Sequence, residues 1–246
     1  LMMSPADGSN NVPLNAKYYV RVDERLNPLS FPSNAGLNVT FAANDREISY
    51  SPITINLPKD SAVTENVPSV TDIAGNQIVA FSSTFNTANN ILLDRASVIQ
   101  NTPVSGATDV AVSTYITAKL SAEVDPVSIT ESGVYLRDTV DNTTVAASVS
   151  LSNDGTTITL VPDDALTLGQ RYYYYIYYLR DLAGNSINNN SFYFDTALVS
   201  DSTAPTIEAI SLIDGQTGLP TNSKIRIRFD EPINKVSLFE GEQVFI

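Results

Sequence analysis

The sequence of 246 residues contains no histidine and no cysteine. Without histidine the usual general base, the Ser-His-Asp and Cys-His arrangements and the commonest zinc ligand are all excluded. Without cysteine there is no disulfide framework and no thiolate metal site, although a chain of this size can fold outside the cell without disulfides. No apolar run approaches the ~18 residues that a membrane-spanning helix requires, so membrane insertion is not expected. Positive charge is scarce as well. Fourteen Lys and Arg stand against 27 Asp and Glu, giving a formal net charge of −13. That balance favours solubility and repels phosphate backbones, and no local basic patch offsets it, so nucleic acid is not expected as a partner.

What the sequence has is repetition. Asp72-Ile73-Ala74-Gly75-Asn76 recurs as Asp181-Leu182-Ala183-Gly184-Asn185, 109 positions later, and each copy precedes a short aromatic stretch ending in Thr87 or Thr196. Gly8, Gly106 and Gly215 stand 98 and 109 residues apart in similar contexts. The blocks Leu26–Phe31, Val124–Ile129 and Ile233–Leu238 follow at the same offsets. Several matches at constant spacing indicate a repeated unit. We expect a first repeat over 1–88, a second over 89–203 and the start of a third, incomplete, over 204–246. A chain that opens directly on a repeat is expected to belong to something longer.

Within each repeat the period is that of strands. Strands are expected at Lys17–Val22, between Phe41 and Leu57, and at Phe81–Thr87, with Pro58–Val70 hard to read because Pro58 and Pro68 interrupt it. In the second repeat they are expected at Tyr115–Leu120, Gly133–Arg137, around Val145–Leu151, at Thr156–Val161 and at Ser191–Thr196. Asn153-Asp154-Gly155 reads as a hairpin turn, since its residues accept positive φ. Arg171–Asn185, RYYYYIYYLRDLAGN, reads as one long alternating strand running straight into its turn. No segment sustains a 3.6-residue period. Many short strands with frequent turn signals predict an all-β fold of tandem sandwiches.

The stretches SPADGSNNVPLN, RFDEPINKVS, NDGTTITLVP, LGQRYYYYIYYLRDLAGN and SFYFDT resemble the bacterial Ig-like repeats of S-layer proteins and large surface adhesins. The resemblance implies tandem Ig-like sandwiches outside the cell or on the bacterial surface, acting as spacer, stalk or adhesion units. It brings no catalytic residue, so no enzyme activity is expected. Neighbouring repeats of the same chain are the first expected partners. An accessory segment of a secreted polysaccharide hydrolase is an alternative role.

Three features are candidate sites. In the Asp-x-Ala-Gly-Asn turns, Asp72 and Asp181 either ligate calcium or accept backbone N–H groups across the turn, with Gly75 and Gly184 supplying positive φ and Asn76 and Asn185 closing it. The resemblance makes Tyr172, Tyr174 and Ile176 the core face of the tyrosine strand. Tyr173, Tyr175 and Tyr177 then point outward, where repeat one has Thr64, Asn66 and Pro68. Exposed, those three rings would stack on a surface polysaccharide or pack on another surface protein; the plainer reading is that tyrosine simply suits a strand. Asp195 and Asp201 are candidates for calcium at a repeat junction. The carboxylate pairs Asp23-Glu24, Asp163-Asp164 and Asp230-Glu231 do not suit a glycosidase, because adjacent strand residues point to opposite faces.

Overall fold

The computed structural model describes residues 1–32, 37–42, 44–52, 56–67, 69–79, 81–199, 203–212, 215, 217–218, 220 and 224–230. The block Ile233–Leu238, together with Pro68 and Asp201, lies outside the described residues. Strands account for nearly all the regular structure, as the period-2 patterning and the Gly, Asn and Asp turns require. In the N-terminal unit they are β1 (Met2–Ser4), β2 (Tyr18–Arg21), β3 (Leu37–Ala42), β4 (Glu47–Pro52), β5 (Ala62–Asn66) and β6 (Ser82–Asn86). The central unit holds β7 (Val98–Thr102), β8 (Ala107–Val110), β9 (Ile116–Leu120), β10 (Val134–Asp138), β11 (Thr144–Val145), β12 (Ala147–Leu151), β13 (Thr157–Pro162), β14 (Arg171–Ile176) and β15 (Asn190–Thr196). A two-stranded ribbon of β16 (Ile207–Ile210) and β17 (Ile227–Phe229) follows.

The central unit is a two-sheet sandwich. One sheet has the order β11-β10-β14-β15-β8 and the other β12-β13-β9-β7. Alternate residues of facing strands fill the space between them: Ile116, Ala118 and Leu120 from β9, Ile158 and Leu160 from β13, and Tyr172, Tyr174 and Ile176 from β14. The N-terminal unit sets the sheet β1-β2-β4-β3 against the pair β5-β6. Tyr18, Val20, Ile48, Tyr50 and Phe85 form its core. A strand does form between Pro58 and Pro68. Among the described residues it pairs with β6 over Ala62–Asn66, and Pro58 precedes that ladder.

Equivalent positions repeat their bonds. Thr87 Oγ1 donates to the Pro58 and Ser61 carbonyls and accepts from Ser61 N–H, and Thr196 Oγ1 does the same with Thr167, Gln170 and Gln170 N–H. A threonine at this corner therefore ties the last strand to the connection before the preceding one.

The tyrosine strand departs from its expected form. It ends at Ile176 and does not run straight into the turn. Tyr178 adopts φ 62°, which reverses the alternation: Tyr178 turns outward and Leu179 into the core. Asn189 Oδ1 accepts the Tyr178 N–H, and Leu179 accepts from Ile187 N–H, so the break is held by the facing segment. A positive φ on a bulky residue is strained, and here it aims Leu179 inward ahead of the turn.

Candidate functional site

The two Asp turns are built alike. Asp72 Oδ1 accepts from Ala74 N–H and Asn76 N–H, both at 2.8 Å, and its Oδ2 from Asn76 Nδ2 at 2.7 Å. Asp181 repeats this with Ala183, Asn185 and Asn185 Nδ2 at 3.0, 2.9 and 3.1 Å. Hydrogen bonds led by those from Asn76 hold the Asp72 carboxyl below its ordinary range. With both oxygens engaged in the loop, these aspartates shape a turn. Gly75 and Gly184 provide its positive φ, 93° and 82°.

Tyr173 and Tyr175 lie on the outer face of β14, away from the core, Tyr177 directly follows the strand, and all three are half-buried. What covers them is one another and neighbouring strands. Tyr175 stacks on Tyr135 of β10 at 4.7 Å and on Tyr173 at 6.3 Å; Tyr173 meets Tyr193 of β15 at 5.5 Å. Tyr177 meets Tyr175 and Tyr178 edge-on. The register dictates this ladder, since Tyr175 is paired with Tyr135 and Tyr173 with Tyr193. Stacking on a sugar needs a free ring face. In this ladder Tyr135 and Tyr173 both stack on Tyr175.

Asp195, a calcium candidate, gives both carboxylate oxygens to Arg171, at 2.7 and 2.8 Å. This fork holds its carboxyl below the usual range. The Arg171 guanidinium also lies 4.5 Å over the Tyr193 ring. Among the described residues no three acidic side chains converge as a metal site would require.

Sequence reasoning missed the most elaborate polar cluster, which joins the two units. Arg180, just before the second Asp turn, sends Nε and Nη2 to Asp125 Oδ2 at 3.1 and 2.8 Å. Its Nη1 reaches across to Glu47 Oε1 of the N-terminal unit at 2.9 Å. Glu47 Oε2 in turn binds Arg21 at 3.0 Å, and Arg21 Nη1 donates back to the Ile129 carbonyl of the central unit. The Arg180 guanidinium lies 4.0 Å over the Tyr19 ring. Two cations thus face two anions, and Asp125 and Glu47 are both buried. Burial pushes the Asp125 carboxyl up while the Arg180 charge pulls it back. Backbone and apolar contacts surround the clamp. Lys17 N–H donates to the Leu182 carbonyl at 3.0 Å, and Leu182 packs into the core cluster of the N-terminal unit.

The connecting segment is pinned as well. Asn15 bonds Leu92 N–H and its carbonyl, both at 2.9 Å, and Ala96 N–H donates to Asp181 Oδ2. On the flank of the junction Glu123, close to Ser9 of the N-terminal unit, packs over Gly155. Burial, with the nearby Asp154 charge, pushes its carboxyl up to about 7 from 4.5. The folded chain therefore favours neutral Glu123, and this contribution is full below pH 4.5 and lost as pH rises through about 7. Glu123→Gln should match the parent chain near pH 4.5 and exceed its stability at pH 8 by on the order of 1–2 kcal/mol, after allowance for residual solvent screening. Thermal melts of both proteins across that range measure the difference.

A family model described as bacterial Ig-like domain matches residues 94–196 and 201–245, more than half of the chain. Among solved structures, domains 1-6 of the surface layer protein SbsC share 18% identity at TM-score 0.36, over 48% of this chain and 16% of that one. CopC from Methylosinus trichosporium OB3b shares 14% identity at TM-score 0.35, over 42% of this chain and 93% of that chain. The BSP domain of a biofilm associated protein shares 12% at TM-score 0.25, over 82% and 30%. The chain thus spans a small fraction of the surface-layer proteins it matches. No curated protein matches.

Proposed function

The chain belongs to the bacterial Ig-like domain family, and we propose that it is a non-catalytic structural segment of an extracellular or surface-bound bacterial protein, in which successive sandwiches are locked together. The observation that carries this reading is the junction clamp of Arg180, Asp125, Glu47 and Arg21. A flexible spacer needs no buried charges between its units. Separating these units would part Glu47 from Arg180 and Leu182 from the core cluster of the N-terminal unit, so the docked arrangement is favoured over a hinge. The lack of His and Cys throughout the chain supports a mechanical over a chemical role. In this reading the tyrosine ladder is packing that stiffens the outer face of its sheet.

Small-angle scattering and NMR relaxation on the full chain test the proposal. The two units are expected to tumble as one body, and Arg180→Thr to release them, with a larger radius of gyration. Independent tumbling of the two units in the parent chain would overturn the reading.

A further inference from the structure

The end of the central unit that docks on its neighbour has a counterpart on the N-terminal unit, held by the same backbone bonds. Asn27 Oδ1 accepts the Leu29 N–H at 3.1 Å, as Asp125 Oδ1 accepts the Val127 N–H at 2.9 Å. Asn27 N–H donates to the Thr71 carbonyl and Thr71 N–H to Ser30 Oγ, matching Asp125 with Arg180 and Arg180 with Ser128. The Asp72 turn then repeats the Asp181 turn bond for bond.

The scaffold recurs, but its cover does not. Val127 and Leu182 are 0% and 1% exposed at the junction, whereas their counterparts Leu29 and Ile73 are 94% and 66% exposed. Two apolar side chains standing free on a rigid turn and a capped 3-10 turn are costly to leave in water. The charges differ too. Where the central unit has Asp125 and Arg180, the N-terminal unit has Asn27 and Thr71. A sheet face bearing a carboxylate such as Glu47 would find no cation at those two positions, and Arg25, whose carbonyl accepts the Ile73 N–H, is paired with Asp45. A face without that carboxylate would fit, and the fold supplies one: Thr117, Lys119, Thr157 and Thr159 stand on β9 and β13 where the N-terminal unit has Tyr19, Arg21, Glu47 and Ser49.

We propose that the Leu29–Ile73 end of the N-terminal unit is a docking surface for a preceding Ig-like module of the same polypeptide, seated through an outer sheet face that lacks the Glu47 carboxylate. The inference rests on the reading above that successive modules lock. Covalent connection matters here, because a tethered neighbour is presented at roughly millimolar effective concentration, enough for a contact without a salt-bridge clamp.

The absence of cysteine makes the test direct. Leu29→Cys and Ile73→Cys, each alone, place a thiol reporter on the surface, and Val79→Cys on another exposed site is the control. All three should react quickly with a maleimide in the chain of 246 residues. In the same polypeptide extended upstream by one module, of about a hundred residues, the first two should slow about tenfold or more while Val79→Cys does not. Unchanged rates at both positions, or an upstream sequence without an Ig-like module, would overturn the proposal. Scattering reads the Arg180 junction separately, so either reading can fail while the other stands.

Discussion

Replacing Arg180 with threonine is expected to cost about 3–5 kcal/mol, the largest effect of any single surface-proximal substitution in this chain. The reason lies in what is left behind. Asp125 is buried and, among the described residues, has Arg180 as its one cationic partner, at 2.8 Å, so its charge would remain in the junction without compensation. Glu47 would keep Arg21 but lose its other oxygen's partner. The N-terminal unit shows how the loss can be reduced. It carries Asn27 and Thr71 at the matching positions, and Asn27 still caps its 3-10 turn. Arg180→Thr with Asp125→Asn should therefore recover roughly half of the loss, since a neutral amide can hold the Val127 N–H and leaves no buried charge. Urea denaturation of the two variants beside the parent chain decides it. A cost below about 1 kcal/mol for Arg180→Thr would mean that water already reaches Asp125 in solution.

The strands were legible because their signal is local. Alternation over Thr117–Leu120, Ile158–Leu160 and Arg171–Ile176 sorts residues between two faces, and Asn153-Asp154-Gly155 supplies the turn between β12 and β13. The Asp turns were legible for the same reason, since donor and acceptor lie within four residues. The tyrosine strand shows where alternation stops helping. Counting by twos carries the core face from Ile176 to Tyr178, and nothing in the side chains announces that Tyr178 takes positive φ and hands the core position to Leu179. Alternation put Tyr173 and Tyr175 on one face, and the resemblance turned that face outward, without saying that Tyr135 and Tyr193 would cover them. That depends on strand order, which alternation does not report.

The junction was the least legible part, although a signal for it existed. Tyr19, Arg21 and Glu47 occupy outer positions of β2 and β4, where charged and aromatic side chains usually meet water. Their burial comes from a second unit, and periodicity within one unit is silent about that. Comparison between copies reports the half of the cluster that lies within the central unit. At two matched positions Asn27 and Thr71 become Asp125 and Arg180, a neutral pair turned into opposite charges at once. A paired change of that kind points to contact between the two positions, and the structure places them 2.8 Å apart.

The glycines of the two Asp turns provide an internal control for the junction. Both have positive φ, so alanine at either position is expected to strain the turn by roughly 1–2 kcal/mol. Around Gly75 a Cβ would meet nothing within 4 Å, so Gly75→Ala should cost that much and no more. A Cβ on Gly184 would stand 2.6 Å from the Tyr19 hydroxyl and 2.8 Å from Lys17 Cδ, both across the junction. Lys17 can swing away. Tyr19 is buried and carries the Arg180 guanidinium on its ring, so it cannot move without loosening the clamp. Gly184→Ala should therefore cost a further 1–3 kcal/mol or so beyond Gly75→Ala. Adding Tyr19→Phe, which removes the clashing oxygen and keeps the ring under Arg180, should return part of that excess. The same Tyr19→Phe added to Gly75→Ala should return none. Equal costs for the two alanine variants would show that the units are not in contact in solution, because only the docked junction distinguishes these otherwise matching turns.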